Sequence, residues 1–252
     1  MKILCFIAVV ITGILLVIAA DDFPDWGDPQ SPASTHLSPH YITEAVNETK
    51  VPNIVTAVLA DYRGFDTMFE TAVIFTAGIA VIFVLRSTAR KRKAGAPEER
   101  ASEVVRQDII VQNVARIVFP FIQLFALYVV MHGHHSPGGG FQGGVMLGAS
   151  FILLAISYNL GKIFSRMSER TSILQGNIGV LVYAGIGVFS LLVGANFLDY
   201  GGLAAILPAS EDAMAHSHGM LGIEIGVALA VMAIMVAIYA NLSSRGKYDK
   251  GL

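Results

Sequence analysis

Six long apolar runs constrain the fold of this chain more than any other feature of its sequence. They are Ile3–Ala20, Met68–Leu85, Val114–Met131, Val145–Leu160, Ile178–Leu198 and Met220–Leu242. Each approaches the roughly 20 residues with which an α-helix crosses about 30 Å of hydrocarbon. The runs do not alternate polar and apolar residues as barrel strands do, so helices are the favoured spanning structure. We therefore predict an all-α integral membrane protein with about six transmembrane helices.

The charge content argues against a soluble domain beside these helices. Only 14% of the residues are charged, whereas soluble domains carry about 25%. The polar stretches are also too short to build an independent core. The single cysteine, Cys5, excludes an intrachain disulfide and disfavours a cysteine-based metal site. We expect no enzymatic activity, no cofactor, no bound metal and no nucleic-acid partner.

The basic residues predict the orientation of the chain, because cytoplasmic loops of membrane proteins are enriched in Lys and Arg. Most of the 17 basic residues flank the runs on one side, and only Lys50 and Arg63 lie on the other. The largest group follows the second run: Arg86, Arg90, Lys91, Arg92, Lys93, Arg100 and Arg106. We expect a multi-pass protein of the cell (inner) membrane with both termini in the cytoplasm.

The first run has a second interpretation. Lys2, the apolar core and Val17–Ala19 before Asp21 also resemble a secretory signal peptide. The core is long for such a peptide, so we prefer a retained helix. Cleavage would leave five helices and the same charge pattern in the rest of the chain.

A basic, alanine-rich stretch at residues 87–104 predicts a cytoplasmic linker. It divides the chain into a two-helix unit at residues 1–86, with an acidic extracytoplasmic loop, and a four-helix unit at residues 105–252. This 2+4 arrangement shows no sequence repeat between its parts, whereas self-contained secondary transporters are often built from inverted repeats. The pattern favours one component of a larger assembly over a complete carrier.

The stretch between the first and second runs contains the first polar residues of interest. Residues Ile54–Ala60 are apolar but too few to cross a bilayer, so they predict a short helix capped by Asn53. We expect Asp61 to pair with Arg63, with Asp66 close by. Glu70 then enters the second transmembrane helix. It is either a carboxylate that reaches the interface or one that borders a cation or proton path.

The connection between the third and fourth runs is rich in histidine and glycine. It reads His132-Gly-His134-His135-Ser136-Pro137-Gly138-Gly139-Gly140-Phe141-Gln142-Gly143-Gly144. The histidines lack a helical i,i+4 pair and a fourth ligand nearby, which disfavours zinc. No Gly-Lys-Ser/Thr follows, which disfavours a phosphate cradle. We predict a tight, irregular connection that is buried in protein or lines a wet cavity.

The last outer connection and the sixth run contain a further ionisable group. The connection carries Asp199, Glu211, Asp212, His216 and His218. Glu224 lies about one turn into the apolar run, where a bare carboxylate is rare. It is either neutral and capped or part of a proton or cation relay with a nearby histidine, whose ordinary pKa lies near physiological pH.

Two further helices carry packing signals. Gln123 in the third run is expected to form a hydrogen bond with a neighbouring helix, while Arg116 reaches the cytoplasmic interface. The fifth run is rich in glycine, which favours close helix packing. We interpret these residues as structural.

At residues 134–144 the chain resembles the MnhB/MrpB family, one of the small subunits of the Mrp-type multisubunit sodium/proton antiporters. The resemblance covers roughly residues 105–242, and its specific core is Pro-Gly-Gly-Gly-Phe-Gln-Gly-Gly at residues 137–144. The segment Phe23-Pro-Asp-Trp-Gly-Asp-Pro29 and the stretch Val51–Phe83 resemble the C-terminal tail of the large subunit of the same antiporters. That tail corresponds to a separate small subunit, MbhE, in membrane-bound hydrogenases.

The resemblance implies a hetero-oligomeric membrane complex with larger antiporter-like subunits, transporting Na+ and H+. It also implies roles for Glu70, Pro137 and Phe141, with Gly138–Gly140 shaping the loop. The other candidates for an ion path follow from their position in the sequence and their side-chain chemistry, without the resemblance. They are Asp61, Arg63, Asp66, Glu224 and His218. Two alternatives remain open. In the first, the chain is an ion-translocating subunit of a redox-driven complex such as a membrane-bound hydrogenase. In the second, it is a structural scaffold without an ion site.

Overall fold

The computed structural model describes residues 2–93, 109–158, 168–207, 209, 211–244 and 246. Within these ranges the chain forms helices and no strands. The α-helices are α1 Lys2–Asp21, α2 Ser38–Thr49, α3 Ile54–Ala57, α4 Gly64–Lys93, α5 Ile109–Met131, α6 Gly140–Ser157, α7 Glu169–Leu192 and α8 Asp212–Ser243. Short π-helical turns lie at Ala33–Leu37 and Val58–Tyr62, and a 3₁₀-helix lies at Tyr200–Ala205.

Six of these helices are long and apolar enough to cross a membrane: α1, α4, α5, α6, α7 and α8. The predicted all-α membrane fold is therefore confirmed for the part of the chain that the structure describes. The predicted linker at residues 87–104 falls largely outside the described residues, since α4 continues to Lys93 and the description resumes at Ile109. Leu160, the last residue of the predicted fourth run, lies outside them as well.

The chain divides into two compact units, Met1–Glu44 and Ala45–Leu252. The first contains α1, the π-helical turn Ala33–Leu37 and the beginning of α2. The apolar side chains of α1 are exposed around the whole helix. A helix that is apolar on every side is suited to lipid or to a surrounding bundle.

The second unit is built around α8. This helix packs against α4, α6 and α7, while α5 packs against α6. Glycines allow the closest approach: a Cβ added to Gly179 of α7 would lie 2.4 Å from the carbonyl oxygen of Gly226 in α8. Small residues at such crossings let helix backbones meet in a membrane. The close packing predicted for the fifth run is confirmed at Gly179, whereas Gly185 faces open space.

A polar clamp joins α4, α7 and α8 at the end of the unit opposite the connection between α5 and α6. Arg86 forms an ion pair with Glu169 and donates a hydrogen bond of 3.1 Å to the side-chain oxygen of Asn241. The amide nitrogen of Asn241 donates to Glu169 at 3.3 Å. Asn241 is fully buried, so its substitution leaves both charged partners under-satisfied.

The predicted hydrogen bond from Gln123 to a neighbouring helix is also present, to Ser150 of α6 at 3.4 Å.

Asn241→Ala is expected to destabilise the folded chain by about 1–3 kcal/mol, the cost of leaving buried polar partners unpaired. Circular dichroism of the protein in detergent should show a thermal midpoint lowered by a few degrees. Asn196→Ala, at an exposed asparagine, is the matched control and should leave the midpoint unchanged. Equal midpoints for the two variants would contradict a stabilising role for the clamp.

Candidate functional site

Residues 132–139, which we call the glycine-rich loop, connect α5 to α6 and are held by the short helix α3. The backbone N–H of Asn53 donates to the carbonyl of His134 at 2.9 Å. The side-chain amide of Asn53 donates to the carbonyls of Gly133 at 2.7 Å and Ser136 at 2.9 Å. The hydroxyl of Thr56 also donates to Gly133 at 2.8 Å. These bonds satisfy carbonyl groups of an irregular backbone that lipid could not solvate.

Asn53 also caps α3, as predicted. Its side-chain oxygen accepts a hydrogen bond of 3.1 Å from the N–H of Val55. The residue preceding a helix commonly fills this role when it is asparagine. One side chain therefore both starts α3 and binds the glycine-rich loop.

The glycines place this loop directly against Glu224. Gly139 has φ +116°, a conformation that side chains rarely adopt, and a Cβ there would lie 2.8 Å from Glu224 Oε1. A Cβ on Gly140 would lie 2.3 Å from the carbonyl oxygen of Glu224, and one on Gly138 would lie 2.7 Å from that of Val129. The predicted tight, irregular connection is confirmed.

The two other loop residues singled out by the sequence occupy different surroundings. Pro137 is exposed at the tip of the loop. Phe141, in the first turn of α6, packs against the buried core and lines a cavity beside Glu224. The phenyl ring thus anchors the start of α6 to the core, whereas the proline lies on the surface of the chain.

Glu224 is buried, and its Oε2 has no hydrogen-bond partner in the part of the chain that the structure describes. His134 lies close by, with its Nε2 3.8 Å from that oxygen; each side chain is 10% exposed. His134 Nε2 also has no partner among the described residues, while Nδ1 lies 3.4 Å from the hydroxyl of Ser217. We call these two residues the Glu224–His134 pair.

Burial lowers the pKa of His134 below its ordinary value, and the nearby His135 and His218 lower it further. The imidazole is therefore neutral at neutral pH. A neutral histidine can give or take a proton at the nitrogen that faces Glu224.

A small cavity of about 80 Å³ adjoins Glu224 between α3, α4, α6 and α8. It is lined by Val55, Thr56, Leu59, Ala60, Thr67, Gly138, Gly139, Gly140, Phe141, Gln142, Ile223, Glu224 and Val227. We call it the Glu224 cavity. Its lining brings together the short helix of the N-terminal part of the sequence, the glycine-rich loop and the buried carboxyl group.

Asp61 lies in the π-helical turn after α3 and pairs with His216 of α8, with 2.6 Å between Oδ2 and Nδ1. The other ring nitrogen of His216 is 4.0 Å from Asp199. The hydroxyl of Tyr200 donates to the carbonyl of Ala60 at 3.0 Å and fixes the same turn. Burial raises the pKa of that tyrosine, with a smaller contribution from Asp61, so the phenol keeps its proton as a donor.

The expected pairing of Asp61 with Arg63 is wrong. The π-helical turn directs Asp61 toward α8, and Arg63 instead forms an ion pair with Asp66 in the first turn of α4. Residues three apart on a helix face each other. Both side chains of this pair are about half exposed, so it contributes little to stability.

The structure also corrects the placement of His216 and His218. We expected them in a loop before Met220, but α8 begins at Asp212. Glu211 is extended and Asp212 lies in the first turn, where a carboxylate interacts favourably with the helix dipole. His218 lines a separate cavity of about 440 Å³ beside α7, and its Nδ1 is buried without a partner among the described residues.

Glu70 is exposed on α4 and does not line the Glu224 cavity. No ion pair or hydrogen bond of its side chain occurs within the described residues. The structure therefore brings Asp61 to the first turns of α8 and places Glu224 about two turns further along the same helix, but leaves Glu70 on the surface of the isolated chain. Groups of histidine, cysteine and carboxylate positioned to hold a metal ion are absent from the described ranges.

Sequence reasoning missed the role of Asn53 and Thr56 in holding the glycine-rich loop. These residues lie about 80 positions before their partners. The available signal was an asparagine after Pro52, which indicates a helix cap and nothing about a distant loop. It also missed the Asp61–His216 pair, because no local pattern connects residues 155 positions apart.

Two known protein families match this chain in different parts of its sequence. A family model described as a domain related to the MnhB subunit of Na+/H+ antiporter matches residues 110–237, about half of the chain. The chain belongs to this MnhB-related family. A second model, MbhE, described as a subunit of MBH, matches residues 26–101. The resemblance found in the sequence, an MnhB-like unit joined to a second small unit, is confirmed.

Curated relatives of this MnhB-related chain carry antiporter names. It is 28% identical to the probable K+/H+ antiporter A/B subunit of Rhizobium meliloti (strain 1021) over 193 residues, which are 70% of this chain and 19% of that protein. It is also 28% identical to the putative antiporter subunit mnhB2 of Staphylococcus aureus (strain Newman), over 54% of this chain and 94% of that protein. The chain thus spans about a fifth of the Rhizobium relative.

Two solved structures share the fold of this MnhB-related chain. One is the Mrp complex from Dietzia sp. DQ12-45-1b, with a TM-score of 0.61, 24% identity, and coverage of 99% of this chain and 26% of that chain. The other is the membrane-bound sulfane sulfur reductase (MBS), an archaeal respiratory membrane complex, with a TM-score of 0.58, 24% identity, and coverage of 93% and 97%. The chain is a multi-pass membrane subunit of this fold.

Proposed function

We propose that this MnhB-related chain is a subunit of a hetero-oligomeric monovalent cation/proton antiporter and that the Glu224 cavity forms part of its ion path. The single observation that supports the role of the cavity is a buried carboxyl group in a candidate membrane-spanning helix, with one oxygen unpartnered among the described residues. Ionisable groups are costly there and mark ion or proton pathways. The names of the curated relatives supply the class of transport.

The arrangement of polar groups suits a path that starts at the N-terminal end of α8, where Asp61 pairs with His216. Asp61 and His216 lie at this end, followed by His134 and then Glu224 deeper in the unit. In the proposed path, the first pair collects cations or protons from the medium. The second pair accepts the ion that moves inward, and the chain acts as a transporter subunit rather than an enzyme.

Partner subunits complete the path in this proposal. Glu70 is an exposed carboxylate on a spanning helix, and contact with lipid would be costly for it. We place this face against another subunit of the complex, where Glu70 borders the same path. The exposed Pro137 and the ion pair of Arg63 with Asp66 contribute to that contact.

The proposed topology places both termini in the cytoplasm of the cell, with the glycine-rich loop on the outer side. It rests on the distribution of basic residues. The proposed organisation keeps residues 1–86 as the unit similar to the tail of the large antiporter subunit, residues 87–104 as the linker and residues 105–252 as the MnhB-like unit. Two different family models match residues 26–101 and 110–237, which supports a sequence made of two parts.

The test is cation-dependent proton exchange in vesicles that contain the whole complex, with no electron donor present. We expect exchange with Na+ or K+ that disappears when this chain is omitted while the other subunits remain assembled. Exchange that appears only after a redox substrate is added would overturn the proposal and favour a redox-driven complex. Exchange that persists without this chain would leave it a structural scaffold.

The acid response of His134 offers an independent check of the site geometry. Because its native pKa is lowered, the unfolded state binds more protons between that pKa and about 6.5. The contribution of the neutral imidazole of His134 to the free energy of unfolding is therefore present above about pH 6.5. It is lost as the pH falls through the native pKa.

We expect His134→Gln to lose less thermal stability than the wild type on acidification from about pH 7.5 to about pH 5.5. Thermal unfolding in detergent at both pH values measures this difference. His36→Gln, at an exposed histidine, should retain the wild-type acid response. An unchanged response in His134→Gln would contradict burial of a neutral imidazole beside Glu224.

A further inference from the structure

We infer that the Glu224–His134 pair is a proton-transfer station and not a cation-binding site. This inference rests on the proposed function, since it names the ion that this part of the path conducts. Two observations support it: the distance between the facing atoms of the pair, and the hydrogen bonds that the surrounding oxygen atoms already form.

The two facing atoms are suited to exchanging one proton. Glu224 Oε2 and His134 Nε2 are both buried, both unpartnered among the described residues, and 3.8 Å apart. Direct transfer requires an approach of about 1 Å, or one bridging water, to reach hydrogen-bond distance. Such an approach is a side-chain movement, because within the described ranges the imidazole is held at Nδ1 by a single contact of 3.4 Å to Ser217.

The loop does not provide an oxygen cage for a cation. Hard cations are bound by several oxygen ligands, whereas imidazole nitrogen suits transition metals. The carbonyls of Gly133, His134 and Ser136 accept hydrogen bonds from Asn53. Each of them therefore uses at least one lone pair on α3, which leaves fewer loop oxygens to surround an ion at Glu224.

The cavity lining adds few further ligands. The hydroxyl of Thr56 donates to Gly133, and that of Thr67 donates to the carbonyl of Leu59 at 2.7 Å. The polar side chains that α3, α4 and α6 contribute to the cavity are neutral: Thr56, Thr67 and Gln142. Among the described residues, His135 of the loop and His218 of α8 are the ionisable groups whose charges act on His134.

The transfer step conserves charge and atoms. At the start Glu224 is a carboxylate and His134 is neutral; a hydronium ion on the loop side gives a proton to His134 Nε2, which leaves a water molecule and an imidazolium. The N–H bond then breaks as an O–H bond forms at Glu224 Oε2, which leaves a neutral imidazole and a neutral carboxyl group. The lowered pKa of His134 favours this direction, because a weakly basic imidazole releases its proton readily.

Infrared difference spectroscopy of the purified complete complex tests this inference. One experiment changes the pH at fixed Na+, and the other changes Na+ at fixed pH. We expect the pH step to produce a protonated-carboxyl band that is lost in Glu224→Gln and whose midpoint shifts in His134→Gln. We expect the Na+ step to leave that band unchanged.

A Glu224-dependent band that responds to Na+ at constant pH would overturn the inference, since a bound cation would displace the proton. A band whose midpoint is identical in His134→Gln would remove the histidine from the transfer. Glu224→Asp, which keeps the carboxyl group, should retain a shifted band and guards against loss through misfolding. Exchange activity of the same samples reports separately on the proposed antiport.

Discussion

Gly140→Ala is expected to disrupt the assembled membrane complex, although it adds only one methyl group. Its Cβ would lie 2.3 Å from the carbonyl oxygen of Glu224 and 2.9 Å from the Cβ of Val227. Both neighbours lie within α8, and one is a backbone oxygen, so α6 must move away from α8. Overpacking of this kind costs about 1–3 kcal/mol or more. It also shifts the backbone that holds the carboxyl group of Glu224.

We expect native gels of Gly140→Ala membranes to show less intact complex, and the purified protein to have a lower thermal midpoint. Gly185→Ala in α7 is the matched control, because a Cβ there meets nothing within 4 Å and alanine favours helix more than glycine does. This control should assemble as the wild type does. Equal tolerance of both substitutions would contradict the close contact between α6 and α8.

The spanning helices could be predicted from the sequence because length and apolar content are local properties. Each predicted run lies at least partly within a described helix. Helix ends were less predictable. The run starting at Met220 omitted the first two turns of α8, since those residues are polar although they are helical. The run Ile178–Leu198 extended past Leu192, beyond which Gly194 turns the chain with φ +89°.

The site was only partly predictable, because it depends on which helix faces meet. The glycine-rich sequence indicated close packing, and the depth of Glu224 indicated a special carboxyl group. The rotation of α8 that turns His216 toward Asp61 and Glu224 toward His134 is not encoded in an apolar pattern. Long-range contacts of this kind are set by packing against several helices together.

The ion-path role of Glu224 is tested most directly by cation-dependent proton exchange in vesicles that contain the complete complex with Glu224→Gln. Glutamine keeps the size and the hydrogen-bonding capacity of the side chain but carries neither a transferable proton nor a charge. Removal of a proton-transferring group commonly reduces a rate by about 100-fold or more. We therefore expect exchange to fall at least about tenfold, even where other steps share rate control.

Glu211→Gln is the matched control, because Glu211 is exposed and, among the described residues, its side chain forms a single surface ion pair, of 3.3 Å with Lys50. The amount of assembled complex should be equal in the wild type and both variants. The account predicts that exchange is lost in Glu224→Gln and retained in Glu211→Gln. Wild-type exchange by a fully assembled Glu224→Gln complex would contradict it.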